Sequence, residues 1–321
     1  MTLARLLRRP ALARLLAWLL ALGFTLAASA QPAPAPPPLS LVVLGSGGPG
    51  ATGRAGSSHL VLVHGTPRIL VDAGPGAFVR LGEARLSLAK VDVVLLTHLH
   101  IDHAGGLPGL FKARAVAGGG PIKFQVFGPD ARQGTGDDAS FPSTRRFIDL
   151  LFGSGGAFGY LRDFSAPMTI QATDIPSLPA PDAAPVTIYT DGDLVVTAIA
   201  GHHRDAPAVI YRVDFAGKSI TFSGDIDADG LPDLRRIARG TGLLVFNSVV
   251  LDPPGSPPVL YTLHTPPKTI GEIAAGARVG KLLLSHLSPT TDNARDAITA
   301  SIAAAYKGTT LFAEDGMRVA P

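Results

Sequence analysis

LLTHLHIDHAGG, residues 95–106, sets three of the chain's nine histidines and one aspartate within six positions. The preceding run, VDVVLL (91–96), is apolar and bounded by turn signals, which predicts a buried strand. Gly105 and Gly106 let the chain turn sharply afterwards. His98, His100, Asp102 and His103 therefore stand at the mouth of a strand. The spacing H-x-H-x-D-H offers two pairs of ligands, His98 with His100 for one ion and Asp102 with His103 for a second. Imidazole and carboxylate suit zinc, manganese or iron. A merely solvated turn would gain nothing from crowding imidazoles together.

Two ions need further ligands, and histidines or aspartates directly after apolar strands converge at one end of a sheet. VVTAIAGHH ends at His202 and His203, SITFSGD at Asp225, and KLLLSH at His286. One carboxylate can bridge two ions, and Asp225 is the candidate. His59 and His64 fall in a hairpin and read as structural.

The N-terminus carries Arg5, Arg8, Arg9 and Arg14, then an apolar stretch of about thirteen residues from Leu15, then Ala28-Ser29-Ala30. That order predicts a signal peptide over 1–30 and a periplasmic or secreted protein without a stable membrane anchor after cleavage. The stretch is short for a membrane span. QPAPAPPP opens a proline-rich linker over 31–39, and 40–321 reads as one globular domain. Removing the leader's four arginines leaves 24 basic against 25 acidic residues, a net charge near −1. Without a basic excess, no nucleic acid is expected as a partner. With no cysteine, stability must come from burial alone, which 46% hydrophobic residues can supply.

Strand hairpins early in the chain, followed by strand and helix in alternation, suggest an α/β arrangement of two sheets with helices outside. GSGGPG (45–50) matches G-x-G-x-x-G after a strand, but prolines, glycines and another strand follow instead of a helix. It reads as a close-approach loop beside a site, not as a nucleotide cradle. Residues 130–185 read as irregular, with TRRFIDLLF (144–152) and the glycine-rich FGSGGAFGY (152–160) as a lid whose aromatics take an aryl group.

THLHIDH, the HH before AVIYR, FSGD and LLLSH together resemble the metallo-β-lactamase superfamily, within it the RNase Z-like branch that includes arylsulfatases and phosphodiesterases. The resemblance spans about residues 40–321. It implies a four-layer αββα sandwich and two divalent ions, zinc first, with Mn2+ or Fe2+ as other choices. By that resemblance His98, His100 and His203 hold one ion, Asp102, His103 and His286 the other, and Asp225 lies between them. His202 is the alternative to His203. Asp72 in ILVDAG supports the ligand loop by hydrogen bonds. His264, in YTLHTPPKTIGEIA, corresponds to a histidine near the scissile bond and either protonates the leaving oxygen or stabilises charge.

From this follows an expected exported dinuclear hydrolase that cleaves small phosphodiester or aryl sulfate esters with a hydroxide shared by the two ions. Asp102 would orient or deprotonate the water, with His264 assisting departure. The resemblance places a long tRNA-clamping arm after the third motif, but Arg212 runs through VDFAGKSITFS directly into Gly224-Asp225. Small-molecule esters are therefore expected rather than tRNA. The alternatives are a lactonase, a β-lactamase-like hydrolase or a non-catalytic periplasmic zinc-binding protein. A homodimer is expected by analogy only.

Overall fold

The computed structural model describes residues 35–50, 52–118, 120–134 and 140–321. The leader over 1–30 and most of the proline-rich linker lie outside the described residues. Among those described, no helix is long and apolar enough to cross a membrane.

Two seven-stranded sheets face each other. The first runs in the order β14-β1-β2-β3-β4-β5-β6, comprising Arg318–Val319, Leu39–Gly45, Ser58–Val63, Thr66–Val71, Val93–Leu95, Ile122–Pro129 and Met168–Ile175. The second runs β13-β12-β11-β10-β9-β8-β7, comprising Thr309–Phe312, Lys281–Ser285, Leu243–Asn247, Lys218–Phe222, Val209–Phe215, Leu194–Ala200 and Val186–Asp191. Each sheet is part hairpin and part parallel: β3 to β6 run parallel, as do β10 to β13.

The alternation of side chains along a strand explains why both sheets are apolar on both faces. Leu41, Val43, Val61, Val93 and Leu95 point inward and meet Val196, Tyr211, Val213 and Ile220 of the second sheet. Val42, Leu44, Leu60, Leu62 and Val94 point outward beneath helices 77–83, 107–116 and 144–152. On the far side Leu244, Phe246, Leu282 and Leu284 are covered by helices 231–237, 267–276 and 295–303. The order helix, sheet, sheet, helix is the αββα sandwich that the resemblance implied.

Two readings change. Within 130–185, β6 pairs with β5 over eight residues, so much of the segment is an edge of the first sheet. Its residues are largely half-buried, which blurs the apolar alternation of an edge strand. Helix Thr144–Phe152 is capped by Ser143 and buries Ile148 and Phe152, with Phe152 stacked 4.9 Å from Phe111. It belongs to the core and is not an aromatic lid. The β9–β10 hairpin closes through Ala216 and Gly217, both at positive φ, and leaves no room for an inserted arm.

Candidate metal centre

Each candidate ligand stands where a strand ends, at one rim of the sandwich. His98 follows β4, and His100 precedes the short helix Ile101–Ala104 that carries Asp102 and His103. His203 follows β8, Asp225 follows β10 and His286 follows β12. Gly224 makes the approach of Asp225 possible: its φ is +60°, and a Cβ there would lie 2.8 Å from Thr97. The glycine loop closes over the other side, where a Cβ on Gly48 would fall 2.8 Å from the His286 ring.

The donor atoms form overlapping groups, each within 4.8 Å: His98, His100 and His203; Asp102, His103 and His286; and Asp225 with His98 and His103. Asp225 Oδ1 lies 3.6 Å from His103 Nε2 and 3.5 Å from His286 Nε2. Its Oδ2 lies 3.6 Å from His203 Nε2 and 4.0 Å from His98 Nε2. These separations are too long for hydrogen bonds. The Nε2 atoms of His98 and His103 are buried without any hydrogen-bond partner. Buried polar atoms left unpaired around a shared carboxylate are what a cation would satisfy, so the residues fit two divalent ions.

The surroundings orient the rings. Asp72 accepts from His103 Nδ1 at 2.8 Å and from the Thr97 amide and hydroxyl, each at 2.8 Å. His203 Nδ1 donates to the Leu263 carbonyl at 2.9 Å. Both contacts leave Nε2 aimed inward. Burial pushes His98 well below its ordinary pKa, so its ring is neutral and able to ligate. Burial also lowers His103, but Asp72, Asp225 and Asp102 outweigh it and push the ring up to about 9. Burial would raise Asp225, yet His286, His103, His264 and His203 hold it far below the usual carboxylate range.

His202 does not join the cluster. Its Nδ1 pairs with Asp227 at 2.8 Å, and Asp227 also accepts from the Arg204 amide. His264 is buried, with Nδ1 3.9 Å from Asp225 Oδ2, and burial lowers its pKa to about 4. His59 is buried beside Phe222, and His64 occupies the β2–β3 turn. Sequence reasoning missed Asp227, the Leu263 carbonyl and Asn247, whose Nδ2 donates to Asp225 Oδ1 at 2.7 Å. Asn247 ends the apolar strand LLVFN, the same signal that marks Asp225 and His286, but an amide is not a zinc-ligating residue type.

The cluster opens into a cavity of about 380 Å³. Its floor includes His100, Asp102, His203, Asp225, His264 and His286, and its apolar walls include Leu260 and Leu263. Among the described residues, no lysine or arginine lines it.

Residues 51–268 match the model of the family described as the metallo-beta-lactamase superfamily. Ribonuclease Z of Mycobacterium marinum is 30% identical over 266 residues, covering 78% of this chain and 87% of that protein. Among solved structures, human tRNase Z, short form, superposes with a TM-score of 0.63 at 21% identity, covering 88% of this chain and 98% of that one. The metallo-beta-lactamase fold protein YhfI from Bacillus subtilis gives the same TM-score at 20% identity, covering 88% and 99%. Relatives named Ribonuclease Z overturn two expectations, that the substrate is a small phosphodiester or aryl sulfate ester and that nucleic acid is excluded. A net charge near −1 averages the whole surface and does not by itself decide whether one face can meet nucleic acid. The chain is a metal-dependent hydrolase that belongs to the metallo-beta-lactamase superfamily, in its RNase Z-like branch.

Proposed function

We propose that this protein is a dinuclear metal-dependent phosphodiesterase that hydrolyses RNA. The observation that carries the reading is the single carboxylate of Asp225, with one oxygen toward His103 and His286 and the other toward His98 and His203. Kinship with proteins named Ribonuclease Z supplies the substrate class.

Divalent ions in such a site, zinc in our reading, act as Lewis acids toward a phosphoryl oxygen and lower the pKa of a bound water. His98, His100 and His203 would hold one, Asp102, His103 and His286 the other, with Asp225 shared. Asp102, on the cavity floor, would take the proton of the attacking water. As the new P–O bond forms the old one breaks, and His264, kept neutral by burial, offers its ring N–H as a hydrogen bond that stabilises charge on the departing oxygen, which takes its proton from solvent. Leu260 and Leu263 give the cavity an apolar side next to His264. With the β9–β10 turn so tight, the RNA must be gripped by surfaces other than an arm at that point.

The test is cleavage of an end-labelled tRNA transcript carrying extra nucleotides at both ends. Zinc-loaded protein should cut it, and Asp225→Ala should abolish both cutting and zinc retention. Wild-type protein that binds two zinc ions but leaves RNA intact would remove the substrate assignment.

A further inference from the structure

We propose that Asn247 is a positioning residue that fixes the rotation of the Asp225 carboxylate, so that each oxygen serves one set of ligands. A carboxylate turns easily about its last bond, because that torsion is broad and two-fold. At Asp225 the rotation decides which oxygen faces which histidines. Among the described residues, the side-chain hydrogen bond that Asp225 makes is the one from Asn247 Nδ2 to Oδ1, at 2.7 Å, with both residues buried. The surrounding histidine nitrogens all stand 3.5–4.0 Å away.

Asn247 is itself held from several sides. It ends β11, between β10, which leads to Asp225, and β12, which leads to His286. It pairs in register with Ser285, and the next amide, Ser248 N–H, donates to the Ser285 carbonyl at 2.8 Å. Its own N–H donates to Ser223 Oγ at 3.2 Å, and that hydroxyl donates to the Gly224 carbonyl at 2.7 Å. The anchor and the turn presenting Asp225 are thus one hydrogen-bonded unit.

The chemistry of the side chain fits this role. An ionised carboxylate accepts only, so the amide must present its NH2 group. A lysine or arginine would bring a positive charge beside the ions, and an aspartate would repel Asp225. The rest of β11, LLVF, is apolar and buried, and a buried amide is costly unless bonded. A strand built for packing alone would carry an aliphatic residue here.

Released from Asn247, Oδ1 loses its fixed direction toward His103 and His286. Zinc held with Asp102, His103 and His286 should then bind 10–100-fold more weakly, on the order seen when partners behind a ligand are removed. The other zinc should be far less affected. This inference rests on the dinuclear reading of the site but not on the choice of RNA.

The experiment is a zinc titration of the chelator-stripped full chain, comparing wild type with Asn247→Leu and Asn247→Ala, alongside thermal unfolding of the zinc-free proteins. Two tight zinc ions in wild type, one tight and one weakened in the variants, and unchanged zinc-free unfolding would support the assignment. Variants that fold and bind both zinc ions as wild type overturn it. If the leucine variant fails to fold, the alanine variant decides, and loss of fold in both would assign Asn247 to packing instead. Wild type that binds fewer than two zinc ions overturns the dinuclear reading itself.

Discussion

His203 Nδ1 donates to the carbonyl of Leu263, the residue before His264, at 2.9 Å. The loop that carries His264 therefore also orients the His203 ring. His264→Ala, which leaves the Leu263 carbonyl in place, should retain both zinc ions while kcat on RNA falls about 10²–10⁴-fold. Zinc analysis and single-turnover kinetics on the same preparation check this. A loss of zinc would make His264 a ligand instead, since it also stands within reach of His203 and Asp225.

Asp72 carries three hydrogen bonds to the ligand loop from an unusual backbone, φ +55°. Asparagine tolerates that conformation, so Asp72→Asn isolates the charge from the turn. The amide would confront the His103 N–H with an NH2 group or lose the Thr97 contacts. Zinc affinity should drop about 10–100-fold while the circular dichroism stays native. An unchanged zinc titration would show that the ring of His103 needs no anionic support.

Phe152 separates a core helix from a lid. It is buried against Phe111, which in turn stacks on Phe124 at 4.0 Å. Phe152→Ala should lower the unfolding free energy by about 3–5 kcal/mol and leave zinc affinity and KM for RNA unchanged. Urea denaturation and steady-state kinetics measure the two separately. A raised KM with intact stability would restore the lid.

Arg54 ties the glycine loop to the C-terminal segment through Asp292 at 2.9 Å, Glu314 at 3.0 Å and the Ala313 carbonyl. Burial would raise Asp292 and Glu314, but hydrogen bonds from Arg54 and Arg295 outweigh it and hold both below their ordinary values. With folded pKa values depressed, the unfolded chain binds more protons on acidification. The network's contribution is therefore present above the unfolded carboxylate range near pH 4, and is lost as pH falls through the depressed values. Arg54→Met should lower Tm at neutral pH, and the gap to wild type should narrow as pH falls from neutral to below the ordinary carboxylate range. A gap of constant size across that range would mean that packing of the arginine stem, not its charge, is what matters. Each pair is partly exposed, so the effect is on the order of 1 kcal/mol per pair.

Most of the site was legible because its residues follow apolar strands. Histidine or aspartate after VVLL, AIAG, ITFSG and LLLS marks a strand end whose polar group has to find a use. Choosing His203 over His202 needed spacing within a known motif, since two adjacent histidines look alike in one dimension. Only the fold reveals that one ring turns to Asp225 and the other to Asp227. Asn247 and the Leu263 carbonyl were hidden for a different reason, because an amide or a backbone oxygen carries no chemistry that spacing can flag. The outer strand β6 was lost because an edge strand with half-buried residues shows little apolar contrast. The two-residue strand β14 depends wholly on its pairing with β1.

The ligands are divided between the two sheets. His98, His100, Asp102 and His103 come from the half of the chain that ends at β6, while His203, Asp225 and His286 come from the half that begins at β7. In the proposed dinuclear site neither half holds a complete set, so both ions would be fully coordinated only once the two sheets have met. Ions bound in this way stabilise the folded state by mass action, acting as a rivet across the seam between the halves. A chain severed between Ile175 and Val186 would offer a direct reading of that rivet, two fragments whose reassociation rises with zinc concentration.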